Sequence, residues 1–220
     1  MQWATGGLLF LWITTRGRQA GPGYSWLLKG VFAALAIGAA AAGKPVAGVG
    51  VAATALATMS RRRPIWFDLV APVIGTVGLV AATHDHSLGL VRTLVGTAFL
   101  GCVTDAMLLG HWYLVQPKLG RAPLNELNLW LVCIWPFEVA ALLWPRGMVS
   151  VLNGSIDDGW GGMLGWFWVA CAIATLALAL VTIAALKERA YSAVMAATGL
   201  LYLAILTAFG TDLVARALLA

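Results

Sequence analysis

Apolar run follows apolar run along this chain, and almost no charge interrupts them. Reading from breaker to breaker gives eight runs, roughly 2–15, 24–43, 46–60, 64–83, 88–115, 124–144, 162–186 and 190–214. Most approach the ~20 residues a helix needs to cross a hydrocarbon core of about 30 Å. They are apolar on all sides rather than along one stripe, as helices are when they sit among lipid or other apolar helices. The expectation is an all-α, polytopic transmembrane bundle of about eight helices, one domain over 1–220. The third run is the weakest, rich in Gly and Ala and only about fifteen residues long. Without it, the topology of everything after it changes.

Composition agrees. Hydrophobic residues make up 61% of the 220 and charged ones 10%, against about 25% charged in a soluble domain. The missing polarity is explained if the outer surface faces a lipid bilayer. The net charge of +5 does not point to nucleic acid, because the basic residues sit in short clusters between apolar runs. There they act as topology determinants beside an anionic leaflet. Cys102, Cys133 and Cys171 fall inside apolar runs with no CxxC spacing, so they imply neither a disulfide framework nor a zinc site. Residues 1–15 lack a basic leader and are followed by Arg16 and Arg18, which fits a retained first helix better than a cleaved signal.

The charges also test the helix count. Arg16, Arg18, Lys29, Arg61, Arg62, Arg63, Lys118, Arg121, Lys187 and Arg189 fall on one side of an eight-crossing arrangement, ten of the 14 basic residues. The other side holds Lys44, Arg92, Arg146 and Arg216 with His84, Asp85, His86, Asp157 and Asp158. The positive-inside rule then puts the basic loops in the cytoplasm and both termini on the outer side, in what reads as a bacterial plasma membrane. Trp26, Trp66, Trp112, Trp144 and Trp160 lie near expected interfaces, where indole rings favour the headgroup level. Gly and Ala are dense in the second, third and seventh runs, so helices should approach closely. A faint repeat supports a four-plus-four duplication with halves 1–86 and 88–220: Leu8 to Trp12 before Gly17-Arg18 resembles Leu108 to Trp112 before Gly120-Arg121. Halves of four helices would be parallel, related by an axis along the membrane normal.

Ionisable groups inside a membrane each need a reason, because burial there costs of order 2.5–3.5 kcal/mol even on the gentler scales. Asp105, His111 and Glu138 qualify most clearly, while Asp68, Glu126 and Asp212 lie closer to helix ends. Thr93, Thr97, Gly101, Thr104 and His111 follow steps of three, four and seven, so they share one face of the fifth helix, with Asp105 on the adjacent stripe. That seam is either a proton or ligand path or a line of helix–helix hydrogen bonds. Glu138 follows Trp135-Pro136-Phe137; the proline removes a helical hydrogen bond and frees the Val132 carbonyl. By helical rise, Glu138 lies about 21 Å and Asp105 about 15 Å from the inner ends of their helices. These boundaries put the two carboxyls within a helical turn in depth; facing each other, one of them would be protonated, while the alternative is a neutral Glu138 that donates to a backbone carbonyl and only locks packing.

These residues, with Trp112, form the candidate proton or ligand site: Asp105, His111, Glu138, Thr104, Trp112 and Trp135. The sequence names no cofactor. A bis-histidine haem within the chain is disfavoured, because His111 lies near the inner end and His84 and His86 a membrane thickness away. His84 and His86 are weak metal candidates, more readily read as a solvated turn. No nucleotide, hydrolase or zinc-protease motif is present. Loops this short cannot build a catalytic domain. The expected function is therefore a small membrane subunit of an energy-converting or redox complex, partnered by other membrane chains, with a site for protons or a quinone. A proton-coupled permease and a scaffold without chemistry are the alternatives.

Overall fold

The computed structural model describes residues 1–43, 45–59, 64–83, 87–145 and 147–219, and no strand occurs among them. The helices are α1 (Gln2–Thr15), α2 (Pro22–Ala41), α3 (Pro45–Ala57), a 3-10 turn (Ile65–Leu69) leading into α4 (Val70–Ala82), α5 (Ser87–Trp112), α6 (Ala122–Leu143), α7 (Met148–Leu152), α8 (Met163–Lys187) and α9 (Tyr191–Leu218). Each expected run is a helix to within a few residues; the short α7 was not anticipated. Among the described residues six segments are long and apolar enough to cross a membrane: α2, the 3-10 turn with α4, α5, α6, α8 and α9. With 14 and 13 residues, α1 and α3 rise only about 20 Å each.

Local chemistry sets the helix starts. Pro22, Pro45 and Pro123 occupy first turns, where a missing N–H forfeits nothing and φ is already helical. Asp158 does the same work for α8, its carboxylate accepting from the Gly162 and Leu164 N–H groups at 2.8 Å. Gly43 ends α2 at φ +105°, a conformation that suits glycine alone.

Hydrogen bonds fix the direction of each helix. Trp26 Nε1 donates to the Met59 carbonyl and Lys29 Nζ to that of Thr58, so α2 begins where α3 ends. Gln116 bonds the Gln19 carbonyl and the Gly21 N–H. Arg121 donates to carbonyls of Leu186, Glu188, Arg189 and Ala190. The α1–α2, α5–α6 and α8–α9 connections and the end of α3 therefore share one end of the bundle, here the basic end. Neighbouring long helices alternate in direction, and α1 and α5 run parallel.

The bundle is organised around that parallel pair. Helix α5 packs against α1, α6 and α9, and α1 against α2, α4 and α5; α3 bridges α2 and α4, and α8 bridges α6 and α9. Nine residues of α1 are buried, so this short helix is sheltered by its neighbours. At its crossing with α5, a side-chain carbon on Gly101 would fall 2.5 Å from Gly6 Cα and 2.5 Å from its carbonyl oxygen. Only glycine lets the two backbones meet there. The outside of the bundle is apolar: Phe137, Trp166 and Leu206 stand 67%, 69% and 69% exposed. A surface of that kind belongs against lipid.

Candidate functional site

At the far end, opposite the basic connections, three helices bring four ionisable side chains together. Asp212 and Arg216 are one turn apart on α9 and so share a face. Arg216 Nε donates to both Asp212 oxygens at 2.8 Å, and its Nη2 to the Arg92 carbonyl on α5 at 2.9 Å. Arg92 Nε in turn donates to the Ala141 carbonyl on α6 at 2.8 Å. Glu138, on α6, faces the same cluster, with Asp212 and Arg216 as its charged neighbours. The glycine at position 96 makes room for it. A methyl there would press on Arg216 and lie 2.8 Å from Asp212 Oδ1 and 3.5 Å from Glu138 Oε1.

Glu138 and Asp212 are 0% and 1% exposed. Asp212 is satisfied by Arg216, whereas neither Glu138 oxygen accepts from an N–H or O–H donor among the described residues; its hydrogen-bonding neighbour is the Asp212 carboxyl, and that contact needs a proton between the two. An ionised carboxylate without a donor is costly in an apolar interior; the neutral acid is far less so. The arrangement thus holds one committed ion pair and, beside it, one carboxyl free to take or lose a proton with a guanidinium nearby.

Asp105 is a separate site. It is 0% exposed, and both oxygens lack a hydrogen-bonding protein group among the described residues. The Tyr24 hydroxyl donates at 3.3 Å to its backbone carbonyl, not to its carboxylate. The expected approach of Asp105 to Glu138 does not occur. Glu138 lies level with Gly96, and Asp105 is nine residues further along α5, about 13.5 Å by helical rise. The helix ends explain the difference. Helix α5 stops at Trp112 and α6 starts at Ala122, each lengthening the separation that the sequence boundaries had made small.

The other expected site residues are dispersed. His111 is exposed at the basic end, its Nδ1 3.2 Å from the Tyr202 hydroxyl. Trp112 donates to Gln116 Oε1 at 3.2 Å and packs on Tyr24. Thr104 accepts from Trp3 Nε1 at 2.8 Å and donates to the Leu100 carbonyl. Trp135 ties α6 to α8 through the Ala172 carbonyl at 2.9 Å. The threonine seam of α5 faces α1: Gln2 bonds the Thr93 carbonyl, and Gly6 backs onto Thr97 and Gly101. That is the helix-packing alternative, not an open path.

Sequence reasoning missed Arg92, Arg216 and Asp212 as site residues, although the Asp212–Arg216 spacing of four was visible. His84 and His86 lie outside the described residues, as do Arg61, Arg62, Arg63, Lys44, Asp85 and Arg146. Among the described residues, no three His, Cys, Asp or Glu side chains converge in a metal-binding arrangement.

Compared with known proteins, the chain matches no family model, no curated protein and no solved structure. Fold and site together define its class, a polytopic α-helical membrane bundle with a buried acid–arginine cluster.

Proposed function

We propose that the chain crosses the membrane eight times and binds and releases a proton at Glu138, as a small subunit of an energy-converting or redox complex in a bacterial plasma membrane. The observation that carries this reading is the Glu138 carboxyl, buried without an N–H or O–H donor among the described residues and set against the Asp212–Arg216 pair. Arg216 supports the anion when the proton leaves, and the apolar surroundings favour the neutral acid when it returns. The cluster sits at the far end, which the positive-inside rule makes the outer one, so the proton would exchange with that side. The strict alternation of helix direction supports eight crossings, with α1 and α3 spanning inside a shell of longer helices. The dispersal of His111 and Trp112 to the basic end leaves Glu138 without the ring partners a quinone would need, so the proton reading is preferred. Partner membrane chains are favoured because the connections are too short to form a domain of their own.

One observation favours the permease as a second reading. The neighbour pattern of α1, α2, α3 and α4 recurs in α5, α6, α8 and α9, around the parallel α1–α5 pair. Two parallel four-helix halves are a known transporter plan. The deciding experiment has two arms. Mild-detergent purification from native membranes should bring partner chains with the protein; a lone chain that catalyses solute-dependent proton uptake in liposomes favours the permease. In either case Glu138→Gln should abolish proton exchange while the unfolding midpoint stays near wild type. Unchanged proton exchange in that variant sinks both readings.

A further inference from the structure

A second polar site lies at the basic end, in the first half of the chain and away from Glu138. A cavity of about 400 Å³ opens between the α1–α2 connection, the end of α3 and the 3-10 turn; its lining includes Arg18, Ser25, Trp26, Lys29, Met59 and Asp68. Its volume is that of a small-ligand site. Lys29 is only 5% exposed although it carries a charge. It donates to Asp68 Oδ1 at 2.7 Å and to the Thr58 carbonyl at 2.9 Å, which leaves one ammonium N–H of three. Asp68 cancels its charge, so among the described residues the net positive charge of the lining is that of Arg18.

Arg18 is held at the rim in an unusual way. Among the described residues it is the one non-glycine with positive φ, at 51°. L-residues with a side-chain carbon avoid that region, and glycine occupies it freely. Strained backbone of this kind collects at functional sites, and here it accompanies a guanidinium that makes no side-chain hydrogen bond. The depth is informative too. Trp26 lines the cavity at 53% exposure and Trp66 stands nearby in sequence at 58%, and exposed tryptophans of membrane helices lie at the headgroup level. Met59, Pro22 and Ile65 supply apolar wall beside the charge.

We infer that this cavity binds the phosphate of an anionic phospholipid headgroup, with Arg18 as the principal charge and the Lys29 N–H and Ser25 hydroxyl as further donors. The test uses the full chain in a neutral detergent, titrated with short-chain phosphatidylglycerol, short-chain phosphatidylcholine or inorganic phosphate, following the unfolding midpoint. Phosphatidylglycerol should raise the midpoint and phosphatidylcholine should not. Arg18→Gly should weaken the phosphatidylglycerol effect roughly fivefold, the loss of about one interfacial cation, while its lipid-free midpoint equals or exceeds wild type because the backbone strain is gone. Arg18→Gln should weaken the lipid effect equally without that gain. Equal responses of wild type and both variants, or equal effects of the two lipids, overturn the inference. Stabilisation by inorganic phosphate as strong as that by the lipid overturns the lipid assignment in favour of a free anion.

Discussion

The cluster at the far end can be tested by asking whether Glu138 and Asp212 substitute for each other. Asp212→Asn removes the anion whose two oxygens share a bifurcated hydrogen bond from the Arg216 Nε–H, each at 2.8 Å. Charge-assisted bonds of this kind contribute about 1.5–3 kcal/mol, and a buried charge stripped of its partner would lose more. Here a second carboxyl stands ready. Glu138, beside Asp212 and Arg216, supplies the missing negative charge, so the single variant should lose only about 1 kcal/mol. Glu138→Gln keeps the shape and, on the reasoning above, leaves the charge balance of the pair intact; it should change stability by less than about 1 kcal/mol. The double variant leaves Arg216 with no anion among the described residues. It should be destabilised by about 1–2 kcal/mol more than the two single effects combined. Reversible unfolding in mixed micelles, read by tryptophan fluorescence, measures all four corners of this cycle. Strict additivity would show that Glu138 does not sense the Asp212–Arg216 pair, and the proton-site argument would go with it.

Three further outcomes follow from other parts of the molecule. Gly101→Ala places a methyl 2.5 Å from Gly6 Cα and closer still to its carbonyl carbon and should cost about 1–3 kcal/mol; Gly38→Ala, whose methyl meets open space, should be neutral or slightly stabilising, and equal effects in the same unfolding assay would refute the close α1–α5 contact. Lys29→Met leaves Asp68 without its partner and should lose about 2–4 kcal/mol, with Lys29→Met/Asp68→Asn returning to within about 1 kcal/mol of wild type; failure of the double variant to recover would deny the ion pair its role. The Gly162 N–H, followed by the Trp160 N–H, holds the Asp158 carboxyl below its ordinary value. Its contribution is therefore fully present above the unfolded aspartate value of about 3.9 and is lost as acid passes below the lowered folded value. An Asp158→Asn chain should show a flatter acid limb in its unfolding profile, and an unchanged limb would count against the cap.

Helix positions were legible because one property, lipid compatibility, dictates them residue by residue. The segment Ile65–Ala82 is a run of apolar residues between Pro64 and a polar break, and no tertiary information is needed to see it. The partners of buried charges were not legible in the same way. Asp105 and Glu138 were assigned similar depths from helix ends misjudged by two or three residues, and at 1.5 Å per residue such errors add up to most of the separation. In sequence Asp212 reads as a helix-end residue and Arg216 as a charge of the outer side. Nothing in one sequence says that α9 lays this pair against Glu138, because helix neighbours are set by packing between segments far apart in the chain. Gly6, Gly96 and Gly101 carried the missing information. Each marks a place where another helix comes too close for a side chain, but composition alone cannot say which helix that is.

The two halves of the bundle share a neighbour pattern yet use their polar groups at opposite ends, and this bears on direction. In the first half, Lys29 and Asp68 pair at the basic end and open toward a cavity. In the second, Asp212 and Arg216 pair at the far end, with Glu138 enclosed beside them. Between these levels the axis helices α1 and α5 are joined by glycine backbone contact, which leaves no width for a column of water. Asp105 interrupts this dry zone as a lone carboxyl, too far from Glu138 for a direct proton hop. On the proposed function, a proton at Glu138 would have a short route to the far surface and a long, apolar one to the basic surface. Passage across the whole membrane would require α1 and α5 to separate. Cysteines at positions 2 and 93, where the Gln2 side chain spans from α1 to the Thr93 carbonyl of α5 at 2.9 Å, joined by a short bifunctional thiol reagent, are the direct check: the crosslink should leave proton binding at Glu138 intact and abolish any transmembrane flux. Flux that survives the crosslink would place the path elsewhere in the bundle.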